Sequence, residues 1–317
     1  MKKKKVIIIG AGKLSKSIVA GLLFAGIDPR DILVIGRAVD SFDYYIEHGV
    51  ACASEFQHRL GAEFLILAVT PPGAGAVLSD LHMYGVKYET LISFVSGLFP
   101  DTISRVLEIP LTSIAIATAN TNIGSGNGVV CVLATENKHA LLLLEKLGTV
   151  SSEPSEEMLI AAIMSVGSMN AFDAQAIKMA YDIYATNSSL YDWLCGLANV
   201  LNCETAQSDS YQLFMRYLDA KSRALANIYT QSDACERARA TTVSTLNALI
   251  SKGSAVTVSD IEILIQSVVT KGGCTEKGMH MMNSVDMLHD VEKLREVFTL
   301  VYNRARAFPA DVENSFN

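Results

Sequence analysis

The run Val6-Ile7-Ile8-Ile9-Gly10-Ala11-Gly12-Lys13-Leu14-Ser15 constrains this chain more than any other stretch of it. Four β-branched apolar residues in succession suit a strand covered on both faces. The glycines then impose a tight turn, and from Lys13 to Ala25 the residues Leu14, Ile18, Leu22 and Ala25 fall on one helical stripe, closed by Gly26 and Pro29. A helix start of this kind leaves backbone N–H groups without intrahelical partners, and these suit the pyrophosphate of a dinucleotide. Gly10 permits the turn and Gly12 lets the anion approach the backbone, while Ser15 stands where a third glycine completes the usual fingerprint.

Short apolar runs continue the alternation at Ile32–Ile35, 64–69, 91–95, 113–117 and 129–133, with helical patterns between several of them. Repeated βαβ units give an open parallel sheet wrapped by helices, with its ligand crevice at the carboxyl ends of the strands. The polar stretch Thr149-Val150-Ser151-Ser152-Glu153-Pro154-Ser155 interrupts the alternation, and the segments 156–184, 189–201, 210–229, 233–252, 259–269 and 276–308 beyond it read as helices. The expectation is an α/β domain with a parallel sheet over residues 1–157, followed by an all-α domain over 158–317.

Composition narrows the function. With 317 residues, 50% hydrophobic and 19% charged, the chain is long enough to bury a core and too apolar to stay disordered. Its net charge of −7 opposes broad attraction to a phosphate backbone, so nucleic acid is not an expected partner. The apolar stretch after Lys2–Lys5 ends at Gly10, short of a signal-peptide core, and the longest hydrophobic segment, 158–166, is too short to cross a bilayer. A cytoplasmic protein without membrane attachment is expected. The six cysteines and six histidines show no metal-ligand spacing, which points to free thiols and no metal site.

Two further places carry chemistry. At the end of the second strand an acid selects the ribose diol of NAD, whereas a base accepts the 2′-phosphate of NADP. Here the strand runs into Gly36-Arg37, and a guanidinium matches phosphate oxygens bidentately, so NADP(H) is preferred, with NAD(H) as the other cofactor. The second place is Thr270-Lys271-Gly272-Gly273-Cys274-Thr275, a diglycine bend flanked by hydroxyls. Backbone donors there suit a small carboxylate, and the Thr275 hydroxyl can donate to, or accept from, a reacting nitrogen. The same spacing also describes an ordinary interhelical turn with Thr275 as a cap.

Together, Gly10-Ala11-Gly12, Leu67-Ala68-Val69-Thr70-Pro71, Val95-Ser96-Gly97, Asn120-Thr121 and Val269-Thr270-Lys271-Gly272-Gly273-Cys274-Thr275 resemble the pyrroline-5-carboxylate reductases, across nearly the whole chain. The resemblance implies a Rossmann domain followed by a helical dimerisation domain, and reduction of the cyclic imine pyrroline-5-carboxylate to proline. Gly10, Gly12, Lys13 and Leu14 would form the pyrophosphate loop and Arg37 would hold the adenosine phosphate. Ala68, Val69, Thr70 and Pro71 would line the nicotinamide riboside, with Gly97 and Asn120 near the ring. Thr270, Lys271, Gly272, Gly273, Cys274 and Thr275 would bind the substrate, with Thr275 as the catalytic residue at the imine nitrogen.

The chain departs from the family pattern at several places, among them Thr270-Lys271 where Ser-Pro is common and about forty extra residues within 186–245, and two segments bear most on function. It reads Ile116-Ala117-Thr118-Ala119-Asn120-Thr121-Asn122 where an Arg and a Met-Pro or Met-Thr pair usually precede Asn-Thr-Pro, and Val166-Gly167-Ser168-Met169-Asn170-Ala171-Phe172 where Ser-Gly-Ser-Gly-Pro-Ala-Tyr opens the helical domain. These departures leave open a reductase of another imine or a keto acid, or a regulatory paralogue that binds NADP without turnover. Apolar residues Ile261, Leu264, Ile265 and Val268 on one helical stripe point to a homodimer or a higher homo-oligomer through the helical half.

Overall fold

The structure, a computed structural model, describes residues 4–37, 39–58, 60–185, 187–203, 208–269, 273–282 and 285–316. The chain forms two compact units, residues 1–160 together with 305–317, and residues 161–304.

The first unit is built on eight strands: β1 (Lys4–Ile9), β2 (Ile32–Ile35), β3 (Ala51–Ala53), β4 (Ala62–Leu67), β5 (Thr90–Ser93), β6 (Ile114–Ala119), β7 (Gly128–Leu133) and β8 (Gly148–Glu153). They lie in the order β3-β2-β1-β4-β5-β6-β7-β8. Every pairing is parallel except β6 with β7. The helices are α1 (Lys13–Phe24), α2 (Asp43–Glu47), α3 (Ala74–Tyr84), α4 (Pro100–Leu107) and α5 (Lys138–Leu144). Burial on both faces explains the unbroken apolar strands: Val6, Ile8, Ile32, Val34 and Ile66 join Ile18, Val19 and Leu22 of α1 in one core. Each such side chain contributes about 1.5–3 kcal/mol by leaving water.

Two strands escaped the periodicity. β3 has three residues, too few for a pattern, and β8 is the polar stretch 149–153 that reads as a linker. As the last strand of the sheet, β8 pairs only with β7, and most of its residues stay partly exposed, so it needs no continuous apolar run. The α/β unit with its mostly parallel sheet is as expected.

The segment α6 (Glu156–Ala162) passes into a single π-helical turn, Ile163–Ser168, and then α7 (Met169–Tyr184). One continuous helix over 156–184 was expected; the widened turn divides it. The second unit continues with α8 (Leu190–Cys203), α9 (Asp209–Leu225), α10 (Gln231–Ile250), α11 (Val258–Val268), α12 (Cys274–Met279) and α13 (Val291–Arg306), and it is helical as expected. The expected helix over 276–308 is thus broken into α12, a 3-10 turn at Val285–His289 and α13.

Helix α7 is central because most of it is buried, with Asp182 and Ile183 exposed near its end. Ala171, Ala174, Ala176 and Ala180 are small enough to let α9, α10 and α11 approach it. Into this apolar contact it carries Asp173, which is completely buried with Lys221 of α9. The Lys221 ammonium donates to both Asp173 oxygens at 2.7 and 2.8 Å, to Thr241 Oγ1 at 2.8 Å, and more weakly to the Ala238 carbonyl and Thr242 Oγ1. Tyr217 donates to Asp173 Oδ1 at 2.8 Å. Burial lowers the Lys221 pKa from the ordinary lysine value while Asp173 opposes the shift, and burial with Asp173 beside it raises that of Tyr217.

The chain's end differs from its expected place. Residues 305–317 group with the first unit, where α14 (Phe308–Asn314) covers the β5–α4 loop and Ser315 Oγ accepts from the Gly75 N–H at 2.9 Å.

Candidate functional site

In the first unit, register brings four strand ends to one edge: Ile9 pairs with Ile35 on one side and Leu67 on the other, and Leu67 pairs with Ser93. Between β1 and β4 the strand order reverses direction, and this is where open α/β sheets leave a ligand crevice. The loops after β1 and β4 are knitted there by backbone. The Gly10 N–H donates to the Ile35 carbonyl at 2.8 Å, and the Ala68 N–H donates to the Ile9 carbonyl at 2.8 Å.

Gly10 has φ of 113°, and a Cβ on it would strike the Ala68 carbonyl. No other residue type satisfies both conditions. Gly12 is the opposite case: nothing lies within 4 Å of where its Cβ would be, so the start of α1 is open. That combination of a braced turn and an unobstructed helix start is the cradle a pyrophosphate requires. Lys13 is exposed and Leu14 half-buried at its rim, Ala68, Val69 and Pro71 are half-buried, and Thr70 is exposed beside them. Arg37 is exposed immediately after Gly36, whose backbone lies against Ala11 of the glycine turn.

Ser15, in place of a third glycine, is fully buried against Tyr45 of α2. The Tyr45 hydroxyl also donates to the Gly12 carbonyl at 3.4 Å, and burial raises its pKa. No pattern in the sequence announced Tyr45, because nothing but the fold brings α2 beneath the turn.

Two expected ring contacts have structural duties. Gly97, at φ of 81°, lies against the Phe308–Pro309 peptide, whose atoms come within 2.5 Å of where a Cβ would sit. Asn120 is completely buried, and its Oδ1 accepts from the Val129 N–H at 3.1 Å, tying the end of β6 to β7.

In the second unit, Thr270, Lys271 and Gly272 lie outside the described residues. Gly273 precedes α12, and Cys274 and Thr275 are buried on it. The Thr275 hydroxyl donates to Ser168 Oγ at 3.0 Å, across 107 residues of sequence. Burial pushes the Cys274 thiol up to about 12, with the Arg304 guanidinium partly opposing it. Among the described residues no cluster of His, Cys, Asp and Glu is gathered for a metal, and no helix is long and apolar enough to cross a membrane.

Residues 5–97 match the family described as NADP oxidoreductase, coenzyme F420-dependent. No curated protein matches the chain. Among solved structures, a pyrroline-5-carboxylate reductase from Coxiella burnetii is 21% identical with a TM-score of 0.52, covering 97% of this chain and 99% of that one. A 1-pyrroline-5-carboxylate reductase from Streptococcus pyogenes is 16% identical with a TM-score of 0.49, covering 97% and 100%. A Plasmodium falciparum pyrroline carboxylate reductase with NADP bound is 16% identical with a TM-score of 0.48, covering 100% of both chains. The resemblance read from the motifs and the likeness of fold thus coincide: residues 5–97 are similar to that oxidoreductase family, and the chain has the fold of a pyrroline-5-carboxylate reductase.

Proposed function

We propose that this protein reduces a small cyclic imino acid with NADPH, converting pyrroline-5-carboxylate to proline. The observation that carries the reading is the approach of Gly10 to the Ala68 carbonyl beside an open Gly12, which fits a dinucleotide pyrophosphate. The substrate reading rests on the motif at 270–275 and on a fold shared with a pyrroline-5-carboxylate reductase.

Gly10, Gly12, Lys13 and Leu14 would hold the pyrophosphate, Arg37 the 2′-phosphate, and Ala68, Val69, Thr70 and Pro71 the nicotinamide riboside, with Gly97 and Asn120 nearby. Thr270, Lys271, Gly272, Gly273 and Cys274 would surround the substrate, and Thr275 would meet the reacting nitrogen. A bound reduced nicotinamide supplies a hydride; the chain's own contribution is to hold the acceptor carbon about 3–3.5 Å away and to exclude water. The exposed Ile183 and Ile263, on the packed helices α7 and α11, support a homo-oligomer formed through the helical unit, and a cytoplasmic location belongs to the same reading.

Titration of NADPH and NADH by fluorescence, followed by assay of pyrroline-5-carboxylate reduction and of proline oxidation at high pH, tests the proposal. NADPH binding with turnover of either substrate is expected. Binding without turnover on any imine rejects it in favour of a regulatory NADP-binding protein, and turnover of a different imine alone moves the substrate.

A further inference from the structure

We infer that α14 and Ser315 are a positioning element for the cofactor: they hold the loops after β4 and β5 where the nicotinamide half binds, while the adenosine half binds without them. This deepens the proposed reductase function and rests on its dinucleotide reading. In the sheet, β2 lies on one side of β1, and β4 and β5 lie on the other. With the pyrophosphate at the β1 turn and the adenosine beside Arg37 after β2, the nicotinamide half extends over the loops that follow β4 and β5.

Those two loops are the ones α14 touches, and both contacts lie within the first unit. The loop after β4 leaves the glycine turn at Ala68 and closes at Gly73, whose N–H donates to the Thr70 carbonyl at 2.9 Å, before running into α3. Helix α14 packs against its 3-10 turn, Pro71–Gly73, and against α3. The loop after β5 meets α14 at Gly97, whose backbone lies against the Phe308–Pro309 peptide. Phe308 and Val312 are buried beneath the same helix, so one packed element braces both loops.

Ser315 completes the attachment. Gly73, at the start of α3, has no side chain with which to cap the helix. The Gly75 N–H is among the first four of α3, which have no partner within it. Ser315 Oγ accepts from that N–H at 2.9 Å and donates to the Val312 carbonyl at 2.6 Å, so the cap comes from a residue 240 positions later. The approach is close: a Cβ on Gly75 would come within 2.2 Å of the Ser315 carbonyl oxygen. Loops braced in this way do not have to be ordered when the ligand arrives, and the ordering cost is removed from the affinity.

The test is calorimetric titration of NADPH and of adenosine 2′,5′-bisphosphate, which carries the adenosine and the 2′-phosphate but no nicotinamide. The native protein is expected to bind NADPH at least about tenfold more tightly than the bisphosphate. Gly75→Ala drives a methyl into the contact with Ser315 while favouring α3 itself, since alanine exceeds glycine in helix propensity. It is expected to weaken NADPH at least about fivefold and to leave the bisphosphate within about twofold. Ser315→Ala removes only the capping hydroxyl; the ratio of the two affinities is expected to fall about threefold, the loss of one neutral hydrogen bond, and this variant decides if Gly75→Ala fails to fold. A purely stabilising role for α14 would change the folded fraction and shift both ligands together. An unchanged ratio in whichever variant folds therefore overturns the inference and leaves the reductase reading standing. Equal affinity of the native protein for the two ligands also overturns it, because there would be no nicotinamide contact to position. Failure of the native protein to bind NADPH at millimolar concentration overturns both.

Discussion

The two units of this chain build polar function from different materials. In the first, the candidate dinucleotide cradle is backbone: Gly10, Gly12 and Ala68 act through N–H groups, carbonyls and the absence of side chains. In the second, the polar structure is side chain: Asp173 with Lys221 and Tyr217, and Thr275 with Ser168, all inside helix contacts. A backbone site is damaged by adding atoms, whereas a buried side-chain network is damaged by removing them.

That contrast predicts opposite responses. The largest effect is expected in the helical unit, where Lys221→Ala strands a buried carboxylate and costs about 3–5 kcal/mol in urea denaturation. Lys221→Met with Asp173→Leu removes both charges together and is expected to cost less than the two single changes summed. A loss below about 1 kcal/mol for Lys221→Ala would mean the pair does not organise the helices. In the first unit, Gly10→Ala is expected to cost about 2–4 kcal/mol, from the positive φ and the strike on the Ala68 carbonyl. Gly12→Ala adds the same methyl to open space and costs less than about 1 kcal/mol, yet it weakens NADPH binding because the methyl occupies the anion's approach. Equal destabilisation by the two would break the distinction between a structural and a binding glycine.

The same contrast explains what was legible in the sequence. Strand β1, the glycine turn and α1 are local, and their chemistry is written in consecutive residues. Strand β2 was read to the residue because four buried apolar side chains are bounded by Asp31 and Gly36. Strand β8 was not, since an edge strand needs no continuous apolar run and Thr149-Val150-Ser151-Ser152-Glu153 has the composition of a linker. Gly97 reads as a ring contact from motif alone, while the reason it must be glycine is the peptide of Phe308, 211 positions away in the chain. Ser168 and Thr275 stand 107 residues apart, Asp173 and Lys221 48 apart. No local spacing encodes such pairs; the fold must be known first.

A smaller effect sharpens the backbone side of the comparison. If the cradle binds the pyrophosphate through N–H groups, discrimination between cofactors must come from a side chain at its edge, and exposed Arg37 is placed for it. Arg37→Gln is expected to weaken NADPH about tenfold or more, the loss of one charge-assisted contact, and to leave NADH within about twofold, so that the ratio of dissociation constants moves toward one. A parallel loss for both would give Arg37 a role at the shared pyrophosphate instead.

The smallest effect tests the side-chain character of the helical unit through pH. The Cys274 thiol titrates near 12 when folded, against 9.0 when free, because burial disfavours the thiolate. Above pH 9 the unfolded chain therefore releases this proton while the folded chain keeps it. The folded state then binds more protons than the unfolded one, and stability falls as pH rises through this window. The slope approaches about 1.4 kcal/mol per pH unit, so a loss on the order of 1 kcal/mol is expected between pH 9 and 10 from this group. Tyr217, raised in the same direction, adds a further decline above pH 10, where a free phenol ionises. Lys221, lowered by burial, acts in the opposite sense, because between its folded value and the 10.5 of a free lysine the unfolded chain holds the extra proton. Denaturation curves at pH 8, 9 and 10 for the native protein and for Cys274→Ala separate these contributions. The alanine variant is expected to lose the decline between pH 9 and 10 and to retain whatever Tyr217 and Lys221 leave, whereas an identical slope in both proteins would show that the thiol is reached by water in the folded state.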